Sequence, residues 1–398
     1  MVRLKNYNHT IIASYIGNIT QAIVNNFLPL LFVCISDTYN ISLSKLSILF
    51  TCNFGIQFCI DALASKFVDK IGYRKCVVLA HLLSATGLVL LGILPQTLSN
   101  PFVGIAISVI IYAMGGGMIE VIISPITEAC PTEHKASSMA LLHSMYCWGQ
   151  LLTVVLSTIY FSTIGINNWR WMSMIWALIP FFNMIYFLLV PIKQLPVEEG
   201  NEGKLSEFFK DKIEWAMFLL MFCSGAAELT MSQWASTFVE KGLNISKTMG
   251  DLLGPCMFAL FMGISRIVYA VLSKRFKIEY IIMTSSIICV ISYLIAGLAK
   301  NPYVSLAGCG LCGFSVGAMW PGCYSMGMER YQKGGASLLA LFALFGDFGC
   351  MAGPLLIGLF IDSIGISKSL LLAITFPLIL SLVLISFLVR KEKKIKNP

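Results

Sequence analysis

Two apolar runs flank a short basic loop in residues 46–95, LSILFTCNFGIQFCIDALASKFVDKIGYRKCVVLAHLLSATGLVLLGILP. Each run has about the 20 residues that an α-helix needs to cross the hydrocarbon core of a bilayer. The loop between them places Lys66, Lys70, Arg74 and Lys75 close together. An apolar helix, a basic turn and a second apolar helix are typical of a membrane protein, and the rest of the chain repeats this alternation.

The composition extends the prediction to all 398 residues, of which 57% are hydrophobic and 12% are charged. An average soluble domain has about twice that charged share. The first apolar run is longer than the apolar part of a signal peptide, and no small-residue cleavage site follows it, so we interpret it as a retained helix. The sequence predicts an all-α membrane protein with twelve transmembrane helices, spans 1 to 12, at about 10–35, 46–66, 76–95, 102–124, 137–162, 171–191, 213–238, 250–272, 279–299, 303–327, 336–361 and 370–389.

The loop charges test this partition, because cytoplasmic loops carry an excess of Lys and Arg. When the loops are assigned alternately to two sides, the side with the N-terminus receives 21 of the 28 basic residues and the other side receives six. The remaining one, Arg266, lies inside a span. Both termini are therefore predicted to be cytoplasmic. The net charge of +8 follows from the placement of the loops and does not indicate nucleic-acid binding.

The longest polar stretch separates spans 6 and 7. It predicts an N-terminal six-helix bundle (1–192), a central cytoplasmic loop (193–212) and a C-terminal six-helix bundle (213–398). Short basic connections follow span 2, at 65–75, and span 8, at 270–277, which are corresponding places in the two halves. We therefore expect two pseudo-symmetric bundles, a plan on which many transporters are built.

Residues 65–75 resemble the signature loop of the major facilitator superfamily, Gly-x-x-x-Asp-x-x-Gly-x-Arg-Lys/Arg. Asp69, Gly72, Arg74 and Lys75 match the pattern, and Ser65 stands in place of its first glycine. The resemblance implies the major facilitator fold, and it implies that this loop holds a cytoplasmic gate shut in the outward-open state. A glycine suits the tight turn between two helices. The alternative is that the loop only anchors the topology.

Segments of spans 4, 6, 7 and 11 resemble the fucose permease-like branch of sugar–proton symporters, namely Gly115–Glu120, Asn168–Trp171, Gly225–Glu228 with Gln233 and Trp234, and Gly349–Pro354. The resemblance implies symport of a sugar-like solute with protons, by a monomer in the plasma (inner) membrane of a bacterial cell. The chain departs from the branch in two places. Ser124–Pro125 stands where the branch has Asn-Pro, and span 1 carries amides and no carboxylate.

Carboxylates inside transmembrane helices are rare and mark functional sites. Glu120 lies in span 4, Glu228 near the middle of span 7, and Asp347 in a glycine-rich part of span 11. Because burial favours the neutral form of a carboxyl group, these three are the proton-coupling candidates, although each could instead be satisfied by a neighbouring helix. Arg266 in span 8 is a further candidate for the cytoplasmic gate, through a pair with an acid of span 4 or span 11.

The candidates for substrate binding are amide, imidazole and indole side chains within the spans: Gln21, Asn25, Asn26, His143, Gln233, Trp234 and Trp320. Gln21 and Asn25 are four residues apart and share one face of a helix. Amides hydrogen-bond hydroxyl groups, and an aromatic face packs against C–H surface, so the set suits a sugar or polyol. The amides could instead bridge helices, and His143 could be an ordinary packed residue.

Other classes of site have little support in the sequence. The chain has no Gly-x-x-x-x-Gly-Lys-Ser/Thr loop, which argues against an ATP-driven pump with its own motor. Cys309 and Cys312 form a C-x-x-C, but a zinc site of this kind needs a second pair, so we interpret them as small residues on a packing face. We expect no enzymatic activity, cofactor, metal or nucleic acid. The expected partners are a small-molecule substrate, protons and the lipid bilayer.

The sequence therefore predicts a secondary transporter that moves a small polar solute by alternating access. Proton-coupled efflux of amphipathic compounds is the nearest alternative, since a wide cavity rich in Met and Phe would favour it. A membrane sensor or integral enzyme on a transporter-like scaffold is the alternative from another class.

Overall fold

The computed structural model describes residues 4–132, 135–193, 212–330 and 335–396, and the secondary structure in these ranges is helical. The α-helices are Tyr7–Asn26, Phe32–Tyr39, Leu43–Ile71, Tyr73–Thr97, Pro101–Glu128, Lys135–Ile164, Trp169–Leu189, Lys212–Thr237, Lys247–Asp251, Met257–Leu272, Ile278–Leu298, Pro302–Val316, Met319–Arg330, Gly335–Ile364, Ile366–Leu372 and Thr375–Lys396. Short 3-10 helices cover Leu28–Leu31 and Ile166–Asn168. Turns of π-helix cover Phe238–Gly242 and Leu252–Cys256.

Within the described residues, twelve helical segments are long and apolar enough to cross a membrane, which confirms the predicted class and number of spans. Spans 1 to 12 are Tyr7–Tyr39, Leu43–Leu63, Tyr73–Thr97, Pro101–Glu128, Leu141–Ile164, Ile166–Leu189, Ile213–Gly242, Lys247–Leu272, Ile278–Leu298, Pro302–Gly327, Leu341–Ile364 and Ile366–Leu388. Several begin earlier than predicted. Span 3 starts at Tyr73, and Arg74 and Lys75 lie in its first turn, whereas the prediction began this span after these two charges.

The starts of spans 4 and 10 show how the sequence fixes the helix ends. Asn100 precedes Pro101, and its side-chain oxygen accepts a hydrogen bond from the Phe102 backbone N–H at 3.1 Å. Asn301 precedes Pro302 and accepts from the Tyr303 N–H at 2.9 Å. An Asn cap satisfies an otherwise unpaired N–H, and proline fits the first helical position, where it loses no hydrogen bond. The same cap therefore begins the fourth helix of each half.

The chain forms two compact units, with spans 1–6 in unit 1 and spans 7–12 in unit 2. The predicted central loop, residues 193–212, lies outside the described residues except at its two ends. In unit 1, span 1 packs on spans 4, 5 and 6, span 3 on spans 4 and 6, and span 2 on span 4. In unit 2, span 7 packs on spans 10, 11 and 12, span 9 on spans 10 and 12, and span 8 on span 10. Each of these pairings in unit 1 recurs in unit 2 six spans later, so the two bundles share the main part of their internal plan.

The closest helix contact in unit 2 joins spans 7 and 11. A Cβ atom at Gly349 would lie 2.8 Å from the Phe222 carbonyl carbon and 2.9 Å from the Ala226 nitrogen, and closer still to the Phe222 oxygen. Only a residue without a side chain allows the two backbones to approach this far. Small residues at helix contacts are typical of membrane bundles, where close packing replaces the hydrophobic effect as the force between helices.

Candidate functional site

A buried polar cluster in unit 1 begins where spans 1 and 4 meet. The Gln21 amide nitrogen donates a hydrogen bond to a carboxylate oxygen of Glu120. Gln21 is buried, whereas Glu120 is partly exposed. Each was a sequence candidate on its own, and the structure brings the two together. A carboxylate held by an amide donor in an apolar bundle can accept further hydrogen bonds or take up a proton.

Two residues of span 2 that the sequence analysis did not single out extend this cluster. The Asn25 side-chain oxygen accepts hydrogen bonds from the Asn53 amide at 3.0 Å and from the Gln57 amide at 2.8 Å. Gln57 also donates to the Asn53 oxygen at 3.1 Å. Because two donors occupy the Asn25 oxygen, the orientation of this amide is fixed, and its NH₂ group points away from span 2. Asn53 and Gln57 are four residues apart in an otherwise apolar helix, which is a signal that the sequence did contain.

Span 5 closes the cluster through Tyr146. Its hydroxyl oxygen lies 3.4 Å from the side-chain nitrogens of both Asn25 and Asn26. Asn26 also donates to the Ala22 carbonyl at 2.9 Å, which ties its amide to its own helix. His143, on the same helix as Tyr146, is an exposed residue. The cluster in unit 1 therefore joins spans 1, 2, 4 and 5 through amides, one phenol and one carboxylate.

An ion pair lies inside unit 2, between spans 7 and 8. The Arg266 guanidinium is 3.6 Å from the Glu228 carboxylate. The exposed fraction of the side chain is 28% for Arg266 and 8% for Glu228. Because the carboxylate is buried, its charge is held mainly by the guanidinium, and loss of either partner leaves a costly isolated charge. The sequence analysis had assigned Arg266 a partner in span 4 or span 11. The structure gives it a carboxylate of span 7.

The other candidates of unit 2 differ in how much surface they leave for a ligand. Trp234 has 0% exposure, and its indole N–H donates to the Pro354 carbonyl at 3.0 Å, so it joins spans 7 and 11. Gln233 is buried beside it. Trp320 is partly exposed and its ring covers Gly346, which adjoins the buried Asp347. Trp320 and Asp347 thus lie together, whereas Trp234 acts as a packed helix contact.

A second charged cluster, absent from the sequence candidates, lies at the junction of spans 7 and 8. The Lys247 ammonium is 2.7 Å from the Asp251 carboxylate and 2.8 Å from the Ser236 hydroxyl, which itself donates to Asp251 at 2.5 Å. Asp251 is fully buried. The two π-helical turns lie directly beside it, at Phe238–Gly242 and Leu252–Cys256, and such turns are frequent at functional sites.

The loop between spans 2 and 3 contains a turn that favours glycine and an arginine that caps another helix. Gly72 has φ of 91° and ψ of 141°, a conformation that residues with a side chain rarely adopt. Arg74 donates to the backbone carbonyls of Phe187 at 2.7 Å, Leu188 at 3.2 Å and Val190 at 2.8 Å. Lys75 is exposed, and the side chain of Asp69 lies outside the described part of the structure.

Arg74 thus meets the last turn of span 6, where carbonyl groups lack partners within the helix and carry partial negative charge. The N-terminal residues complete the cap. The Leu4 N–H donates to the Leu189 carbonyl at 3.0 Å, and the Thr10 hydroxyl donates to the Pro191 carbonyl at 2.5 Å. The signature-loop arginine therefore locks span 3 to span 6 within unit 1.

Replacing Arg74 with alanine is expected to lower the free energy of unfolding by about 2 to 3 kcal/mol, since hydrogen bonds to a charged group contribute roughly 1.5 to 3 kcal/mol and several are lost together. Thermal unfolding of the detergent-solubilised protein measures the change. Lys75→Ala is the matched control, because it removes the neighbouring exposed charge and should leave the midpoint unchanged within error. Equal midpoints for the two variants would contradict the capping role.

Comparisons with known proteins agree with this fold. The family model described as Major Facilitator Superfamily matches residues 14–338. A bacterial homologue of the human lysosomal transporter Spinster, inward-facing and unoccupied, superposes with a TM-score of 0.77 at 12% identity, over 95% of this chain and 96% of that one. The nucleoside transporter NupG, as a point mutant, gives 0.76 at 12% identity over 95% and 99%. A D-xylose–proton symporter gives 0.76 at 13% identity over 95% and 95%. No curated protein sequence matches the chain.

Proposed function

The chain belongs to the major facilitator superfamily and is a multi-pass membrane transporter, and we propose that it carries a small polar solute, such as a sugar or related polyol, by symport with protons. We place it near the fucose permease-like branch, in the plasma (inner) membrane of a bacterial cell, as a monomer with both termini in the cytoplasm. The loop charges support this orientation, because the side with the N-terminus has 21 of the 28 basic residues.

The observation that carries the proposal is the polar cluster of unit 1, in which Gln21, Asn25, Asn53 and Gln57 are all buried. Hydroxyl groups both donate and accept hydrogen bonds, and this cluster offers both kinds of partner. The Glu120 carboxylate accepts, the Asn25 NH₂ group donates, and the Tyr146 hydroxyl can do either. A neutral solute with several hydroxyls can replace the hydrogen bonds it loses on leaving water. The D-xylose–proton symporter and the nucleoside transporter with the same fold carry solutes of this kind by name.

The orientation of the Asn25 amide decides whether the substrate site presents a hydrogen-bond donor or an acceptor at this position. Asn53 and Gln57 do not need to touch the solute, because they act by holding the Asn25 oxygen. A free amide can flip and present either its oxygen or its nitrogen. This one presents only N–H donors, so the solute must offer an acceptor there, while Glu120 requires a donor. Hydroxyl-rich solutes meet both requirements at once.

Proton coupling is assigned to Glu120, Glu228 and Asp347, the carboxyl groups within spans 4, 7 and 11. The consequence of protonation is clearest for Glu228. A proton that binds its carboxylate cancels the negative charge that faces Arg266 and so releases the arginine from its pair. Because each protonation state favours a different arrangement of spans 7 and 8, the proton can shift the equilibrium between two conformations of the carrier.

The cytoplasmic gate is assigned to Asp69, Gly72, Arg74 and Lys75 in the loop of unit 1, with Arg266 in unit 2. The fixed turn at Gly72 and the Arg74 cap on span 6 support a rigid loop that moves with its own bundle. In alternating access of this kind each bundle moves largely as a rigid body. A loop tied firmly to one bundle can transmit that motion.

Uptake of labelled sugars and polyols into proteoliposomes tests the function. With a pH gradient of one unit, a carrier that moves one proton with each solute can sustain about tenfold accumulation, because one unit of pH corresponds to about 1.36 kcal/mol. Glu120→Gln or Glu228→Gln is expected to reduce accumulation to the outside concentration, since an amide cannot take up the proton. Solute exchange in the absence of a gradient should continue, which shows that the variant is folded and binds substrate.

Glu128→Gln is the matched control, because it makes the same change in an exposed residue of the same helix as Glu120. It should keep the accumulation of the unmodified protein. If both Glu120→Gln and Glu228→Gln still accumulate solute in a pH gradient, the proton-site assignment is wrong. If the protein moves lipophilic cations and no sugar or polyol, the proposed substrate class is wrong.

A further inference from the structure

A cavity of about 280 Å³ opens at one end of unit 1, away from the polar cluster. It lies where span 1 ends, span 3 ends and span 6 begins, so alternation places all of it on the membrane face opposite the N-terminus. The residues that line it are mostly polar or aromatic: Thr38, Tyr39, Gln96, Asn167, Trp169 and Arg170. The lining includes one formal charge, that of the arginine.

Arg170 has no counter-charge among the residues that the structure describes. Within the described ranges, the Arg170 guanidinium makes no hydrogen bond and no ion pair. Its charge interacts with the phenol of Tyr39, which lines the same cavity. Two other basic residues of this face do have partners. Lys247 pairs with Asp251, and the Lys45 ammonium lies 4.8 Å from the centre of the Phe102 ring. A half-buried guanidinium with five N–H donors and no acceptor is suited to an oxyanion.

A second cavity of the same size, about 280 Å³, shares Arg170 and Gln96 with the first. Its other lining side chains include Ile93, Trp171 and Met174, and it lies on the apolar surface of the bundle. The exposed fraction is 63% for Trp171 and 39% for Ile93. Large exposed aromatic residues at helix ends are typical of the zone where lipid headgroups meet hydrocarbon. Arg170 therefore lies between two cavities and lines both, and the second of them also has large exposed apolar side chains.

We infer that Arg170 and the two cavities beside it form a binding site for the phosphate group of an amphipathic lipid on the face opposite the N-terminus. The guanidinium binds the phosphate oxygens through paired N–H donors, which match phosphate geometry. The hydroxyl of Tyr39 and the amide of Asn167 face the headgroup in the first cavity, and the acyl chain lies along Trp171 and Ile93 beside the second. This lipid site is separate from the polar cluster of the proposed substrate site.

Binding of three probes to the purified protein tests this site: a phosphatidic acid with two short chains, the diacylglycerol that lacks its phosphate, and inorganic phosphate. Native mass spectrometry and the shift of the thermal midpoint measure binding. We expect the phosphatidic acid to bind best, the diacylglycerol to bind weakly, and inorganic phosphate alone to bind weakly. Arg170→Gln should weaken phosphatidic acid binding by about tenfold or more, the loss expected for a hydrogen bond to a charged group, and leave diacylglycerol binding unchanged.

Lys300→Gln is the matched control, because it removes an exposed positive charge from the same face without touching either cavity. It should retain phosphatidic acid binding. Arg170→Lys and Trp171→Ala extend the test if Arg170→Gln folds poorly: the first should bind phosphatidic acid with intermediate strength, and the second should lose affinity for both lipids but not for phosphate. Equal loss in Arg170→Gln and Lys300→Gln would overturn the site. Binding of inorganic phosphate as tight as that of the lipid would overturn the lipid assignment in favour of a soluble phosphate.

Discussion

Gly349→Ala is expected to separate spans 7 and 11 and to leave little folded protein. A methyl group at this position would overlap the Phe222 backbone and lie 2.9 Å from the Ala226 nitrogen, so no side-chain rotation can relieve the clash. Overpacking of a well-packed core usually costs about 1 to 3 kcal/mol, and backbone contacts place this change at the upper end. The yield of monodisperse protein and its thermal midpoint in detergent measure the effect.

Gly263→Ala is the matched control, since no atom lies within 4 Å of a Cβ built at this helical glycine of span 8. Alanine has a higher helix propensity than glycine by about 1 kcal/mol, so this variant should be as stable as the unmodified protein or slightly more stable. A Gly349→Ala protein with the midpoint of Gly263→Ala would show that the two helices do not approach as closely as the structure has them.

Glu228→Gln is expected to destabilise unit 2 by about 3 kcal/mol, the low end of the range for breaking a buried ion pair. The low end applies because Arg266 keeps 28% of its exposure, which lets water stabilise part of the unpaired charge. The double variant Glu228→Gln/Arg266→Gln should recover most of the loss, because it leaves no isolated charge inside the bundle. Chemical unfolding followed by tryptophan fluorescence measures all three proteins.

The comparison of single and double variants isolates the interaction between the two residues. Glu128→Gln, which neutralises an exposed carboxylate, should change the unfolding free energy by less than about 0.5 kcal/mol. Single and double losses that simply add would mean that the pair contributes nothing. The site would then have to be explained by Glu228 alone.

The sequence was sufficient for the fold because each signal it used is local. About twenty apolar residues form a span with little regard to what surrounds them, and the basic loops indicate which side each loop lies on. Gly72 and Arg74 identified the family through a loop whose turn needs a positive φ. The helix starts at Asn100 and Asn301 are also local signals, because the cap and the proline that follows it lie within a few consecutive residues.

The site was only partly predictable, because it depends on which faces of different helices meet. Gln21 and Glu120 were recognised as unusual in their own spans, but nothing in the spacing shows that the two touch. Trp234 was assigned to a substrate surface, yet the rotation of span 7 buries it completely against span 11. Asn53 and Gln57 were passed over, since amides draw less attention in an apolar run than carboxylates do.

The charged cluster at the junction of spans 7 and 8 escaped prediction for a different reason. Lys247 stood outside the predicted start of span 8 and looked like an ordinary loop cation. In the structure Lys247 and Asp251 are four residues apart in one short helix, which packs on span 7, so the ammonium reaches both Ser236 and Asp251. The hydrophobic pattern of a span gives its length and faces, but it does not show which polar side chains of two neighbouring helices meet.

The pairing scheme that recurs after six spans carries different side-chain chemistry in the two bundles. Spans 1 and 2 are joined by neutral amides, through Asn25 and Gln57, whereas their counterparts, spans 7 and 8, are joined by the full charges of Glu228 and Arg266. The two bundles share the same helix pairings, whereas the side chains at this helix contact differ in charge. The same helix contact thus holds neutral hydrogen bonds in unit 1 and an ion pair in unit 2, and the fold accommodates both.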